Sequence, residues 1–123
     1  MRFLFWKALI GFAVFDLFLR ENFARVHRTV NNWKVSDKET ASNVIHQVCD
    51  AINLACVWYP KHVLCLQRSA VTTCLLRSCG VPAQMVLGAQ KLPFKAHAWV
   101  EVEGRAVNER REVQSIYCVW ERC

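Results

Sequence analysis

Leu64-Cys65-Leu66-Gln67-Arg68-Ser69-Ala70 opens an apolar run that continues to Cys79 and stops at Gly80-Val81-Pro82. Leu66, Ala70, Val71, Cys74, Leu75, Leu76 and Cys79 fall on every side of a helical wheel, the pattern of a helix buried in a core rather than lying across it. Gly80 suits the position after the last turn, and Pro82 forbids continuation. The reading is a central helix with Cys65 on its first turn. There the unpaired backbone N–H groups and the positive end of the helix dipole favour thiolate over thiol. Simple packing is the competing account, because cysteine is among the most often buried residue types. The residues that decide between the two lie downstream.

A chain of 123 residues with 54% apolar composition suits one domain, 1–123, with a helical part over 1–60 and the cysteine helix plus a sheet over 61–123. Seven cysteines are an odd number and contain no CxxC pair, which points to reduced thiols in a cytoplasmic protein. None of the four histidines stands at ligand spacing from a cysteine pair, so neither a metal nor a cofactor is expected. A net charge of +6 suits an acidic partner, whether peptide, nucleic acid or anionic membrane. Basic runs interleaved with aromatics are lacking, which argues against nucleic acid.

Residues 2–20 are the most hydrophobic segment. Lys7 and Asp16 leave only Ala8 to Phe15 free of charge, too short for the roughly 20 apolar residues of a membrane span. A lone Arg2 before an interrupted apolar core, with no small-x-small cleavage site, argues against a secretory signal. The segment reads as a helix with a wide buried face, and its surplus of Phe3, Phe5, Trp6, Phe12, Phe15 and Phe18 leaves aromatic surface for a partner protein or a membrane. Residues 21–35 read as a connection with at most a short helix. Ser36-Asp37-Lys38-Glu39 has the form of a capping box, followed by Ala41, Val44, Ile45, Val48, Ile52 and Ala55 at helical spacing up to Pro60. Trp58 to His62 reads as a loop into Cys65, its aromatics serving either the core or a substrate groove. After Pro82 the pattern turns to strands over 83–87 and 96–102, with a loop over 88–93 and a turn at Glu103-Gly104 leading into 105–109. The tail from Glu112 suits a short helix and an edge strand. Helices followed by strands define an α+β domain with the Cys65 helix packed on a small antiparallel sheet.

Nucleophilic catalysis by a thiol needs an imidazole to carry the proton and a third group to hold that imidazole. The hairpin offers His97 near the start of one strand and Glu109 near the end of the next. A two-residue turn would pair Val102 with Arg105 and set His97 opposite Arg110. A three-residue loop with Gly104 in a G1 bulge would pair Glu101 with Arg105 and His97 with Glu109. The second register is the expectation, since it sets a carboxylate beside the imidazole and gives Gly104 a steric role.

The pieces Cys65-Leu66-Gln67-Arg68-Ser69, Cys79-Gly80-Val81-Pro82-Ala83, Ala96-His97-Ala98-Trp99-Val100-Glu101-Val102, Gly104-Arg105 and Asn108-Glu109 resemble the lasso peptide biosynthesis B2 proteins, which are transglutaminase-like cysteine peptidases. The resemblance extends over most of the chain. It implies a papain/transglutaminase-like fold and a leader peptidase that cuts a ribosomally made precursor peptide before a cyclase closes the macrolactam. Carried over by position, Cys65 is the nucleophile, His97 the general base and acid, and Glu109 the orienting member. The chain departs from the family at Glu109, where aspartate usually follows the asparagine; Asn108 is the substitute if it faces the site. The resemblance is to the standalone form, which implies a separate leader-recognition protein as partner. A non-catalytic peptide-binding subunit, or an acyltransferase or transglutaminase on the same Cys-His-acid triad, are the alternatives.

Overall fold

The computed structural model describes residues 2–19, 22–37, 43–91, 94–108 and 113–123. Its elements are α1 (Arg2–Val14), running on into a π-helical stretch (Phe15–Leu19), α2 (Phe23–Asn32), α3 (Val44–Trp58), α4 (Cys65–Ser78), β1 (Ala83–Lys91), β2 (Phe94–Val102), β3 (Arg105–Val107), α5 (Val113–Ile116) and β4 (Cys118–Arg122). The sheet is antiparallel with strand order β3-β2-β1-β4, so the expected α+β architecture is what forms.

Strand alternation divides the sheet into two faces. Ala83, Met85 and Leu87 share one face with Ala98, Val100 and Val102, and this face packs on the helices. There α1 contributes Leu4, Ala8 and Phe12, α3 contributes Val44, Val48, Ile52 and Ala55, and α4 contributes Val71, Leu75 and Leu76. Val86, Gly88, His97, Trp99 and Glu101 point the other way, and Val113 of α5 packs there on Val86 and Trp99. Helix α4 is buried on most sides, as its sequence requires, and even its Ser69, Thr72 and Thr73 are inside. Thr72 and Thr73 satisfy their hydroxyls on the carbonyls of Arg68 and Ser69 four residues back, at 2.7 and 2.8 Å. The helix ends in a Schellman motif: Val81 N–H donates to Leu76 O (2.9 Å), Gly80 N–H to Arg77 O (3.1 Å), and Gly80 takes φ 88°.

Four expectations need correction. The 21–35 connection holds a ten-residue helix, α2, capped by the Asn22 side chain on Arg25 N–H (3.1 Å). Only two of its residues, Val26 and Val30, are buried, and Phe23, the other large apolar residue, is exposed, so the buried stripe is a single i, i+4 pair. Ser36 and Asp37 do not start α3; Ser36 N–H donates to Arg77 O (2.8 Å) and the helix begins at Val44, while Glu39 of the expected capping box lies outside the described residues. Strand β1 runs on through Gly88 to Lys91 where a loop was expected, because β4 and β2 both pair with its second half. Finally, the hairpin takes the two-residue register: Val102 pairs with Arg105, Glu101 with Ala106 and Val100 with Val107. Glu103 and Gly104 both have positive φ, 52° and 78°, as the primed turn that matches strand twist demands.

Candidate active site

Cys65 is the first residue of α4, exposed at the tip of an otherwise buried helix. Its entry is set by Gln67, which is 1% exposed: the Gln67 amide oxygen accepts from Leu64 N–H (3.4 Å), and its Nε2 donates to the Phe12 carbonyl of α1 (3.0 Å). Sequence reasoning passed over Gln67, although a Gln at the third helical position is a known acceptor for the N-cap N–H. Tyr59, just ahead of this turn, belongs to the core: it packs edge-on against Phe12 at 5.5 Å and donates its hydroxyl to Asp16.

The hairpin register brings the edge of β2 to the thiol. With Val102 and Arg105 as the closing pair, the even-numbered residues of β2 aim their N–H groups toward β3. Strand β3 stops at Val107, opposite Val100, so the next such position, Ala98, meets Cys65 instead. The Cys65 thiol is hydrogen-bonded to the His97 side chain and to the backbone N–H groups of Ala98 and Leu66. The His97 bond is the main cause that lowers the thiol below its ordinary value of 9.0; partial burial pushes the other way, and the Ala98 bond, the His97 charge and the Leu66 bond add to the lowering. The pair faces a small cleft lined by Cys65, Arg68, Ser69, His97, Trp99 and Asn108 among others.

Of the three expected site residues, Cys65 and His97 are thus brought together. Glu109 lies outside the described residues, and the register expected to carry it opposite His97 is not the one formed. Asn108 reaches the cleft, but its side-chain amide is paired with Asn53 of α3: Asn53 Nδ2 donates to Asn108 Oδ1 (3.1 Å) and Asn108 Nδ2 to Asn53 Oδ1 (3.0 Å). Arg68 closes this cluster from α4, donating to Asn53 Oδ1 (3.0 Å) and the Asn108 carbonyl (3.3 Å). Asn108 has φ 56°, a left-handed conformation that asparagine tolerates better than most residues. The cluster fixes the chain at the point where β3 ends.

On the outer face His97 stands in an aromatic group. Its ring stacks on Tyr117 (5.3 Å, 30°) and on Trp99 (6.0 Å, 23°). Trp99 Nε1 donates to Glu101 (2.9 Å), whose carboxylate is 2% exposed and also takes bonds from Gln114 Nε2 (2.9 Å) and Arg122. Burial alone would raise the Glu101 carboxyl; the bonds from Gln114, Trp99 and Arg122, with the Arg122 charge, outweigh it and hold the carboxyl below its ordinary range.

A depressed-pKa thiol at a helix N-terminus, bonded to an imidazole on an antiparallel strand, defines an α+β domain of the cysteine–histidine type. The chain belongs to the transglutaminase-like superfamily, whose family model matches residues 10–120. It is also 38% identical over 45 residues to the microcin J25-processing protein McjB of Escherichia coli, a stretch covering 37% of this chain and 22% of that protein. The likeness therefore spans about a fifth of the relative's length. No solved structure matches the chain significantly.

Proposed function

We propose that this chain is a cysteine peptidase that removes the leader from a ribosomally made lasso precursor peptide before macrolactam closure. The observation that carries the reading is the hydrogen-bonded Cys65–His97 pair in the cleft at the start of α4. The likeness to a protein named for microcin J25 processing supports the substrate class. In the proposed reaction the Cys65 thiolate attacks the carbonyl carbon at the end of the leader, and His97 holds the proton the thiol has given up. The C–N bond breaks as His97 passes that proton to the leaving amine, and the leader remains as a thioester on Cys65. Water attacks this thioester, giving a proton to His97, and the C–S bond breaks to release the leader carboxylate. In this reading the Cys65 backbone N–H at the helix start stabilises the oxyanion, and the orienting role is assigned to Glu109 on the family resemblance alone, since the hairpin register does not supply it.

A separate leader-recognition protein and the macrolactam-forming cyclase are the proposed partners, in the cytoplasm. Phe3, Trp6, Ile10, Leu17 and Phe18 are exposed around the helix face opposite buried Leu4, Ala8 and Phe12, which supports this surface as the contact for the recognition protein. Among the described residues no helix is long and apolar enough to cross a membrane. The test is cleavage of the precursor, read by mass spectrometry, with wild type and Cys65→Ala, each with and without the recognition protein. A discrete leader fragment from wild type alone is the expected result. Binding by both without cutting by either would transfer the assignment to a non-catalytic peptide-binding subunit, and a leader joined to an amine acceptor would make the chain an acyltransferase.

A further inference from the structure

An imidazole is free to turn about its outer torsion unless something fixes its plane, and a thiol–imidazole pair transfers a proton only while the ring is aimed at sulfur. In this chain the outer face of the sheet supplies such a fixture. We propose that Tyr117 is a positioning residue for His97, its ring setting the imidazole plane against Cys65 with Trp99 as the fixed backing. The proposal rests on the peptidase reading for its catalytic consequence, while the contact itself stands on geometry.

The three rings form a closed group, with Tyr117 and Trp99 also 6.0 Å apart. Trp99 is itself immobilised. It is 1% exposed and tied to Glu101, which Gln114 and Arg122 hold from α5 and β4. Gly88, the cross-strand partner of His97, makes room for it: a Cβ there would stand 2.8 Å from Trp99 Cη2. One C-terminal segment thus delivers both the ring on His97 and two of the groups that lock Trp99. Among the described residues, the titratable and charged groups near the imidazole include the Cys65 thiol and the Arg68 guanidinium from α4, which line the same cleft, the Tyr117 phenol, and the Glu101–Arg122 pair beyond Trp99. A ring face on the imidazole also favours its protonated form, which arises when Cys65 gives up its proton.

The experiment compares wild type, Tyr117→Phe, Tyr117→Leu and Tyr117→Met in the full chain, by NMR titration of the His97 ring protons, by pH dependence of Cys65 carbamidomethylation, and by kcat and KM on the precursor. Tyr117→Phe keeps the ring and is expected within about twofold of wild type throughout, while Tyr117→Leu and Tyr117→Met lower kcat about tenfold with KM little changed. In these two the imidazole midpoint falls and the thiol midpoint rises. Unfolding of one aliphatic variant leaves the other to decide. Unchanged titration curves and kcat in a folded aliphatic variant would overturn the proposal, as would Tyr117→Phe failing as badly as they do. Titration and alkylation need no turnover, so a wild type that cuts nothing would sink the peptidase reading while the same curves still judge Tyr117.

Discussion

Arg77 is 7% exposed, and among the described residues its guanidinium donates only to backbone carbonyls. Nε donates to Ala83 O (2.8 Å), Nη1 to Val30 O and Trp33 O (3.1 Å to the latter), and Nη2 to Cys123 O (2.8 Å). One guanidinium therefore ties the end of α2, the first residue of β1 and the residue after β4 to α4. Arg77→Met keeps an apolar stem reaching about as far as Nε but lacks the planar head and all five donors. The Val30 and Cys123 oxygens each accept a second N–H, from Trp33 (3.1 Å) and Met85 (3.0 Å), so the loss bears hardest on Ala83 and Trp33. At roughly 1.5 kcal/mol for each stranded carbonyl the cost is about 3 kcal/mol, partly offset by no longer burying a charge. For a domain of this size that lowers Tm by roughly 10 °C. Arg77→Lys restores one point charge without the planar fork and should recover less than half. Urea unfolding followed by tryptophan fluorescence measures both. An Arg77→Met free energy within about 1 kcal/mol of wild type, or full recovery by lysine, would refute the account.

Four further outcomes follow from the geometry. At neutral pH Cys65 should be the first of the seven cysteines to alkylate, and Cys74, pushed up to about 12 chiefly by burial, should stay unmodified in the folded protein; His97→Ala should move the Cys65 profile to higher pH, and peptide mapping after timed iodoacetamide exposure reads both. Because the Glu101 carboxyl titrates below its ordinary 4.5, its contribution to stability is present above that value and lost as pH falls through the lower folded value; Glu101→Gln should therefore flatten the acid limb of the stability curve, as measured by urea midpoints between neutral and acid pH. Gly88→Ala, whose Cβ meets both the Trp99 ring (2.8 Å) and the Cys118 carbonyl (3.0 Å), should cost about 1–3 kcal/mol in denaturant unfolding. Asn108→Gly keeps the left-handed turn and should cost about 1 kcal/mol for the lost amide pair, whereas Asn108→Val should cost about 1–2 kcal/mol more by chemical denaturation.

What was legible in the sequence was whatever a short-range pattern controls. The α4 run with its Gly80-Val81-Pro82 stop, the apolar spacing of α1 and α3, and the helix-then-strand tail each follow from local rules. The errors arose where a long-range partner decides. Helix α2 is held by Val26 and Val30 against Phe15, Ala70, Met85 and Cys123, residues that no window around 23–32 contains. Ser36 had the look of a cap, yet its N–H is used by Arg77 O from α4. The Cys65–His97 pairing was legible because a thiol at a helix start and an imidazole on a strand are chemically conspicuous. Gln67, Asn53 and Tyr117 were not, because an amide or a phenol is ordinary until its partner is known.

The hairpin misreading shows how the site is made. The expected G1 bulge continues the β2–β3 pairing as far as His97, which covers the β2 edge with a third strand. A two-residue turn with Asn108 in a left-handed conformation does the reverse: it ends the described pairing at Val100 and Val107. The β2 edge beyond Val100 is where Ala98 N–H meets the Cys65 sulfur, so the thiolate is stabilised by a backbone group that a longer β3 would have taken. The Arg68–Asn53–Asn108 cluster holds that strand end in place from α4 and α3, the helix that carries the nucleophile and the one before it. Extending β3 by pairing at Ala98 would thus compete directly with Cys65 for the same N–H. The length of the shortest strand in the sheet is accordingly a condition of the chemistry, which a register chosen to bring a carboxylate to His97 overlooks.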